Sequence, residues 1–216
     1  MEGKGILAII KQEKEKIAIG SVWLLHISAV LGIAFGFEDW FIALSPLNLF
    51  LLFVLIVWVS SDKKQLLLLM LIPFSIGFIA EVLGVNYGLI FGDYSYGENL
   101  GFKILGVPVL IGINWAILTY ITSNISKQIH PNIFLSSAIA ALLMTSLDVL
   151  IEVSAPRFDY WRFEGGFAPV QNYIGWYLIS LIACFLFQKF YKNGHFMLSF
   201  HIFTAITIFF TVFLYI

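Results

Sequence analysis

The sequence predicts an all-α membrane protein, a polytopic bundle of seven transmembrane helices, on two observations. Of its 216 residues, 60% are hydrophobic and only 12% charged, and the mean hydropathy of +0.94 leaves too little charge to clothe a soluble domain. The apolar residues also gather into successive runs, each long enough to cross a hydrocarbon core about 30 Å thick, with helix-breaking segments between them.

Residues 1–16, MEGKGILAIIKQEKEK, mix both signs of charge and lack the small-residue cleavage site of a secretory leader. They are read as a cytoplasmic N-terminal segment, and residues 17–216 as one seven-helix transmembrane domain. The predicted spans are 17–37, 41–59, 66–84, 105–124, 133–153, 170–190 and 196–216. Between them lie the breakers SPLN, SDKK, HPN and KNGH. With this count, one side holds Lys4, Lys11, Lys14, Lys16, Lys63, Lys64, Lys127, Lys189 and Lys192, and the other only Lys103, Arg157 and Arg162. The bias of basic residues predicts a cytoplasmic N-terminus in the inner (cytoplasmic) membrane of the cell. A net charge of −1 points to no nucleic-acid partner. Cys184, the single cysteine, sits in an apolar run as a buried filler.

Ionisable groups inside such runs call for a reason. Asp148 and Glu152 lie four residues apart in TSLDVLIEV, so on a helix they share one face about a turn apart. Glu81 closes another run in GFIAEVLGV. Carboxyls at membrane depth normally face the bundle interior and mark a proton or substrate site. Both Glu81 and Asp148 fall fifteen residues beyond their predicted helix starts, about 22 Å along the axis, which places them at the same level in the outer third of the bilayer. Three further polar residues in or at the helices, His26, Asn114 and Asn172, fit a cavity around those acids. His26 reads as a satisfied buried imidazole, and amides within bundles often bond neighbouring helices.

Two long loops face the same side as those acids. Residues 85–108 carry Tyr87, Tyr94 and Tyr96 beside Asp93, and residues 154–172 carry Arg157, Asp159, Tyr160, Trp161, Arg162 and Glu164. One reading makes them an interfacial aromatic belt. The other makes them a lid over an acidic cavity, with aromatic walls for an elongated apolar ligand.

Several chemistries lack their motifs. The histidines at 26, 130, 195 and 201 show no HxxxH or HxxHH pairing, and there is no DDxxD sequence, Walker A sequence, CxxC or GxSxG. The last run has no lysine for a retinal Schiff base. No metal or other cofactor is therefore expected. Carboxyls and aromatics leave proton chemistry on an apolar substrate. A protonated acid can donate to an isolated carbon–carbon double bond, aromatic faces stabilise the resulting cation, and a second carboxylate can orient water to attack it. Attack by water is hydration; attack by a neighbouring double bond is cyclisation.

The string GLIFGDYSY with GVP following, the Asp148 and Glu152 pair, YWRFEGG and PVQNYIGW together resemble the carotenoid biosynthesis hydratases. These integral membrane proteins include the bisanhydrobacterioruberin hydratases and the acyclic carotenoid 1,2-hydratases. Glu81, Gly88, Phe91, Gly92, Tyr94, Tyr96, Asp148, Trp161, Asn172, Gly175 and Trp176 fall on the family pattern. The resemblance implies cofactor-free addition of water across the terminal double bond of a lycopene or gamma-carotene type end. A water-insoluble carotenoid substrate points to handover within the lipid bilayer, with other carotenoid biosynthesis enzymes as candidate partners. Where many relatives carry Asp-Pro, this chain has Glu152 followed by Val153, which keeps the charge on a side chain longer by about one methylene and removes a helix stop.

On this reading Asp148 is the proton donor, Glu81 shares or relays the proton, and Glu152 or Asn172 positions water. Tyr94, Tyr96, Trp161 and Trp176, with Asn114, line the end-group pocket. Three alternatives stand beside it: a cyclase using the same cation, a carotenoid-binding or proton-coupled carrier, and acids that are structural partners of Arg157 and Arg162.

Overall fold

The computed structural model describes residues 2–215, with side chains described from residue 12 onward. Lys4 and Lys11, counted above on the cytoplasmic side, have side chains outside the described residues, and residues 1 and 216 lie outside them altogether. The fold is all-α. Its helices are α1 (Glu2–Ala34), α2 (Glu38–Ala43), α3 (Ser45–Val59), α4 (Lys63–Tyr87), α5 (Val109–Ile129), α6 (Ile133–Ser154), α7 (Val170–Phe190) and α8 (Phe196–Val212). Among the described residues, four short strands, β1 (Tyr94–Tyr96), β2 (Lys103–Ile104), β3 (Val107–Pro108) and β4 (Trp161–Phe163), lie in the two long loops.

The predicted count of seven spans is not reproduced by helix length. Among the described residues, five helices are long and apolar enough to cross a membrane, namely residues 12–34 of α1 and the whole of α4, α5, α6 and α7, and they make this a membrane protein. The second predicted span divides into α2 and α3 because Pro46 has no N–H to carry a helix through, and suits only a first turn. That leaves α3 with 15 residues, about 22 Å of helix. α8 has 17 residues. The span expected at 105–124 also slides toward the C-terminus: residues 103–108 form the β2–β3 hairpin, and Pro108, in extended backbone, is the N-cap of α5. At the N-terminus, the segment expected at 1–16 is continuous with the first span in α1.

Two of the breakers act as caps. In SDKK, the Asp62 carboxylate accepts from Gln65 N at 2.9 Å and starts α4. In HPN, Asn132 Oδ1 accepts from Phe134 N and Leu135 N at 2.9 and 3.2 Å and starts α6. Such bonds satisfy amides that a helix start leaves open.

At the centre stands α5, packed against α3, α4, α6, α7 and α8, with every residue from Trp115 to Ser126 buried. The helices around it turn apolar side chains outward as well as inward: Leu24, Leu68, Leu142 and Ile182 are all half-exposed or more. A lipid-facing surface requires that distribution.

The long loops meet at one end of the bundle. α4 stops at Gly88, whose φ of +63° is the left-handed cap that glycine adopts without strain. β1 then pairs antiparallel with β4, setting Tyr94 opposite Phe163, Ser95 opposite Arg162 and Tyr96 opposite Trp161. Side chains alternate along a strand, so YSY and WRF send aromatics to one face while Ser95 and Arg162 are exposed on the other. The aromatic face closes over the ends of α4, α6 and α7.

Candidate active site

Three carboxyls converge beneath that sheet. Glu81 comes from α4, six residues before its end, and Asp148 and Glu152 come from successive turns of α6. Together with Tyr94, Tyr96, Trp161, Asn114, Asn172 and Trp176 they line one small cavity, whose walls are completed by Phe91, Ile111 and Phe163. All nine residues singled out from the sequence are thus brought together. The cavity measures about 20 Å³, room for roughly one water molecule.

Glu81 is 3% exposed and is held at both oxygens. The Tyr94 and Tyr96 hydroxyls donate to Oε2, the second at 2.7 Å, and Trp115 Nε1 donates to Oε1 at 3.0 Å. Burial, and then the neighbouring Glu81 carboxylate, hold both phenols well above their ordinary pKa. They therefore stay protonated and remain donors. Glycines make room for the rings: a Cβ at Gly77 would fall within the Trp115 indole, and one at Gly84 would press on the Tyr94 hydroxyl at 2.8 Å. These glycines flank Glu81 by four residues and three, on its own helix face.

The second pair is bridged. Asn172, two residues into α7, donates through Nδ2 to Asp148 Oδ2 at 2.9 Å and to Glu152 Oε1 at 3.3 Å. Trp161 Nε1 donates to the other Glu152 oxygen at 3.1 Å. Asp148 is 1% exposed, and its Oδ1 has no hydrogen-bond partner among the described residues. A buried carboxyl oxygen left open in this way is placed to meet a water or a reacting group. Asn114 lies on the cavity wall beside it.

Trp115 and Trp176 stack with centroids 4.3 Å apart and planes inclined by 13°, and Phe91 packs against both. Nothing in the sequence around Trp115 marks it, yet it bonds Glu81 directly. The signal that could reveal it is Gly77, one turn before Glu81, where a large neighbour has to approach.

Neither arginine bonds the three acids among the described residues. Arg157 forks onto Glu38 at 3.0 and 2.7 Å, and Arg162 is on the exposed face of β4. His26 is buried, its Nδ1–H donating to Val22 O at 2.8 Å. It lines a second, larger cavity of about 290 Å³ between α1, α2, α3, α5 and α8.

Comparisons with known proteins show which family the chain belongs to. The family model described as "Carotenoid biosynthesis protein" matches residues 41–216. A bisanhydrobacterioruberin hydratase from Haloarcula japonica is 26% identical over 185 residues, covering 79% of this chain. The alignment covers 61% of that relative's length. No solved structure matches. With four-fifths of its length inside the family model, and with the acids and aromatics of the site all within that part, the chain belongs to the carotenoid biosynthesis protein family.

Proposed function

We propose that this protein is a carotenoid hydratase, adding water across the terminal double bond of an acyclic carotenoid end of the lycopene or gamma-carotene type without a cofactor. The observation that carries the reading is the convergence of three carboxyls from two helices on a water-sized chamber walled by aromatics. The named activity of the Haloarcula relative supports it.

The donor arrangement divides the labour. Asp148 presents the proton from its open Oδ1 to the =CH– carbon of the end group. The π electrons form the new C–H bond, and the positive charge falls on the dimethyl-substituted carbon. Glu81, with three donors fixing its oxygens, is the standing negative charge toward that cation. The faces of Tyr96, Trp161 and Trp176 stabilise it without bonding to it. Water in the chamber attacks the cation and gives the tertiary alcohol, its proton going to Glu152. Exchange between the Asn172-bridged acids then restores Asp148. Asn172, its amide shared between those acids, holds them in place, and Asn114 orients the water.

Seven crossings remain part of the proposal, with α2–α3 and α8 completing the set and the N-terminus in the cytoplasm, because the Lys and Arg asymmetry follows from that topology. Expression in lycopene-accumulating cells tests the activity. The expected product is heavier than lycopene by one water per reacted end. Unchanged lycopene beside correctly inserted protein would overturn the assignment, and an isomer of unchanged mass would make the protein a cyclase.

A further inference from the structure

The acid chamber has room for water and little else, so the hydrocarbon has to arrive from a neighbouring space. The larger cavity supplies one. It shares three wall residues with the chamber, Ile111, Asn114 and Trp161. The two spaces thus adjoin at side chains of α5 and β4. The walls of the larger cavity are mostly aliphatic and aromatic.

We infer that this cavity is the binding site for the chain of an acyclic isoprenoid hydrocarbon, which enters sideways from the bilayer between α1 and α3 and presents its end to the acids past Asn114 and Trp161. The inference rests on the hydratase reading for the identity of the chamber as the reaction site. The mouth supports lateral entry. Its exposed lining residues are Ser28 on α1, Trp40 on α2 and Leu47 on α3, and they sit beside outward-facing Leu24, Leu31 and Phe50, a surface suited to lipid.

The volume decides how much of the substrate is enclosed. About 290 Å³ is roughly twice the ~150 Å³ that takes a benzene ring, so the cavity holds on the order of a dozen carbon atoms. A full-length carotenoid does not fit. One end is enclosed while the remainder of the polyene stays in the membrane, so a substrate with two reactive ends is hydrated in two separate visits. The singly hydrated product is released between them.

Filling the cavity tests this. Ala29 on α1 and Leu51 on α3 line it away from the acids, and Ala29→Trp and Leu51→Trp each place an indole inside. Wild type, each filled variant and Asp148→Asn are purified from lycopene-producing cells, and the pigment bound per protein is measured beside turnover. The expected result is pigment retained by Asp148→Asn without turnover, and at least a tenfold loss of both pigment and turnover in the filled variants. Thermal unfolding identifies a variant that is not folded, and the other then carries the test. Folded filled variants that bind and convert lycopene as wild type does would overturn the inference. Pigment that binds to wild type and is lost on filling, with no hydrated product from wild type, would remove the hydratase reading and leave the cavity as the isoprenoid site.

Discussion

Tyr94 and Tyr96 donate to the same oxygen of Glu81, and that coincidence makes a quantitative prediction. Tyr96→Phe removes one donor and leaves Tyr94 on Oε2 and Trp115 on Oε1. A hydrogen bond to a charged group contributes about 1.5–3 kcal/mol. If Glu81 faces the developing cation, the single variant should therefore lower kcat/KM by roughly 10- to 150-fold, at ~1.4 kcal/mol per factor of ten. Tyr94→Phe should act in the same range. Neither removes ring volume, so the Phe163 and Trp161 contacts of the β1–β4 pair persist. Because either phenol alone can still hold Oε2, the double variant should lose more than the sum of the single losses, a coupling above ~0.5 kcal/mol. Initial rates of lycopene conversion in membranes at matched protein levels, for wild type and the three variants, give the full cycle. Rates all within about threefold of wild type, in folded protein, would refute the placement of Glu81 opposite the reacting end.

Asp148→Asn keeps a carbonyl for Asn172 to donate to, so the fold should hold while conversion falls by roughly 10²- to 10⁴-fold, the usual contribution of a general acid; product analysis beside a thermal melt separates the two. Gly77→Ala forces the Trp115 indole out of place and should destabilise by about 1–3 kcal/mol as well as slow the reaction, whereas Trp115→Phe should slow it with a smaller change in melting temperature. Arg157→Ala breaks an ion pair with Glu38 whose side chains are 39% and 31% exposed, so it should cost no more than about 1 kcal/mol and leave turnover intact. Loss of activity in Arg157→Ala would favour the reading that ties the acids to the arginines.

The acids are legible in the sequence because charge in an apolar run is conspicuous, and four-residue spacing by itself places Asp148 and Glu152 on one helix face. The aromatics of the loops are legible as a group, but not their order. Nothing in residues 85–108 alone says that YSY pairs with WRF, since strand pairing between distant loops is a tertiary choice. That pairing points Tyr94, Tyr96 and Trp161 at the carboxyls. Trp115 is hidden for a different reason: in a continuous apolar helix, an indole that bonds a buried acid looks the same as one that only packs. The span boundaries go astray where hydropathy runs straight through Pro46 and through the Gly106–Pro108 turn. Apolar composition there reflects burial and lipid contact, and does not distinguish one long helix from two short elements.

The account depends most on a proton passing from a carboxyl to carbon. Turnover of lycopene by the purified protein in heavy water examines that transfer, because acid hydrogens exchange with solvent and carbon-bound hydrogens of the substrate do not. The account predicts one non-exchangeable deuterium per hydrated end, on the carbon next to the new tertiary alcohol, and none in protein carrying Asp148→Asn. A hydrated product formed in heavy water without carbon-bound deuterium would contradict it.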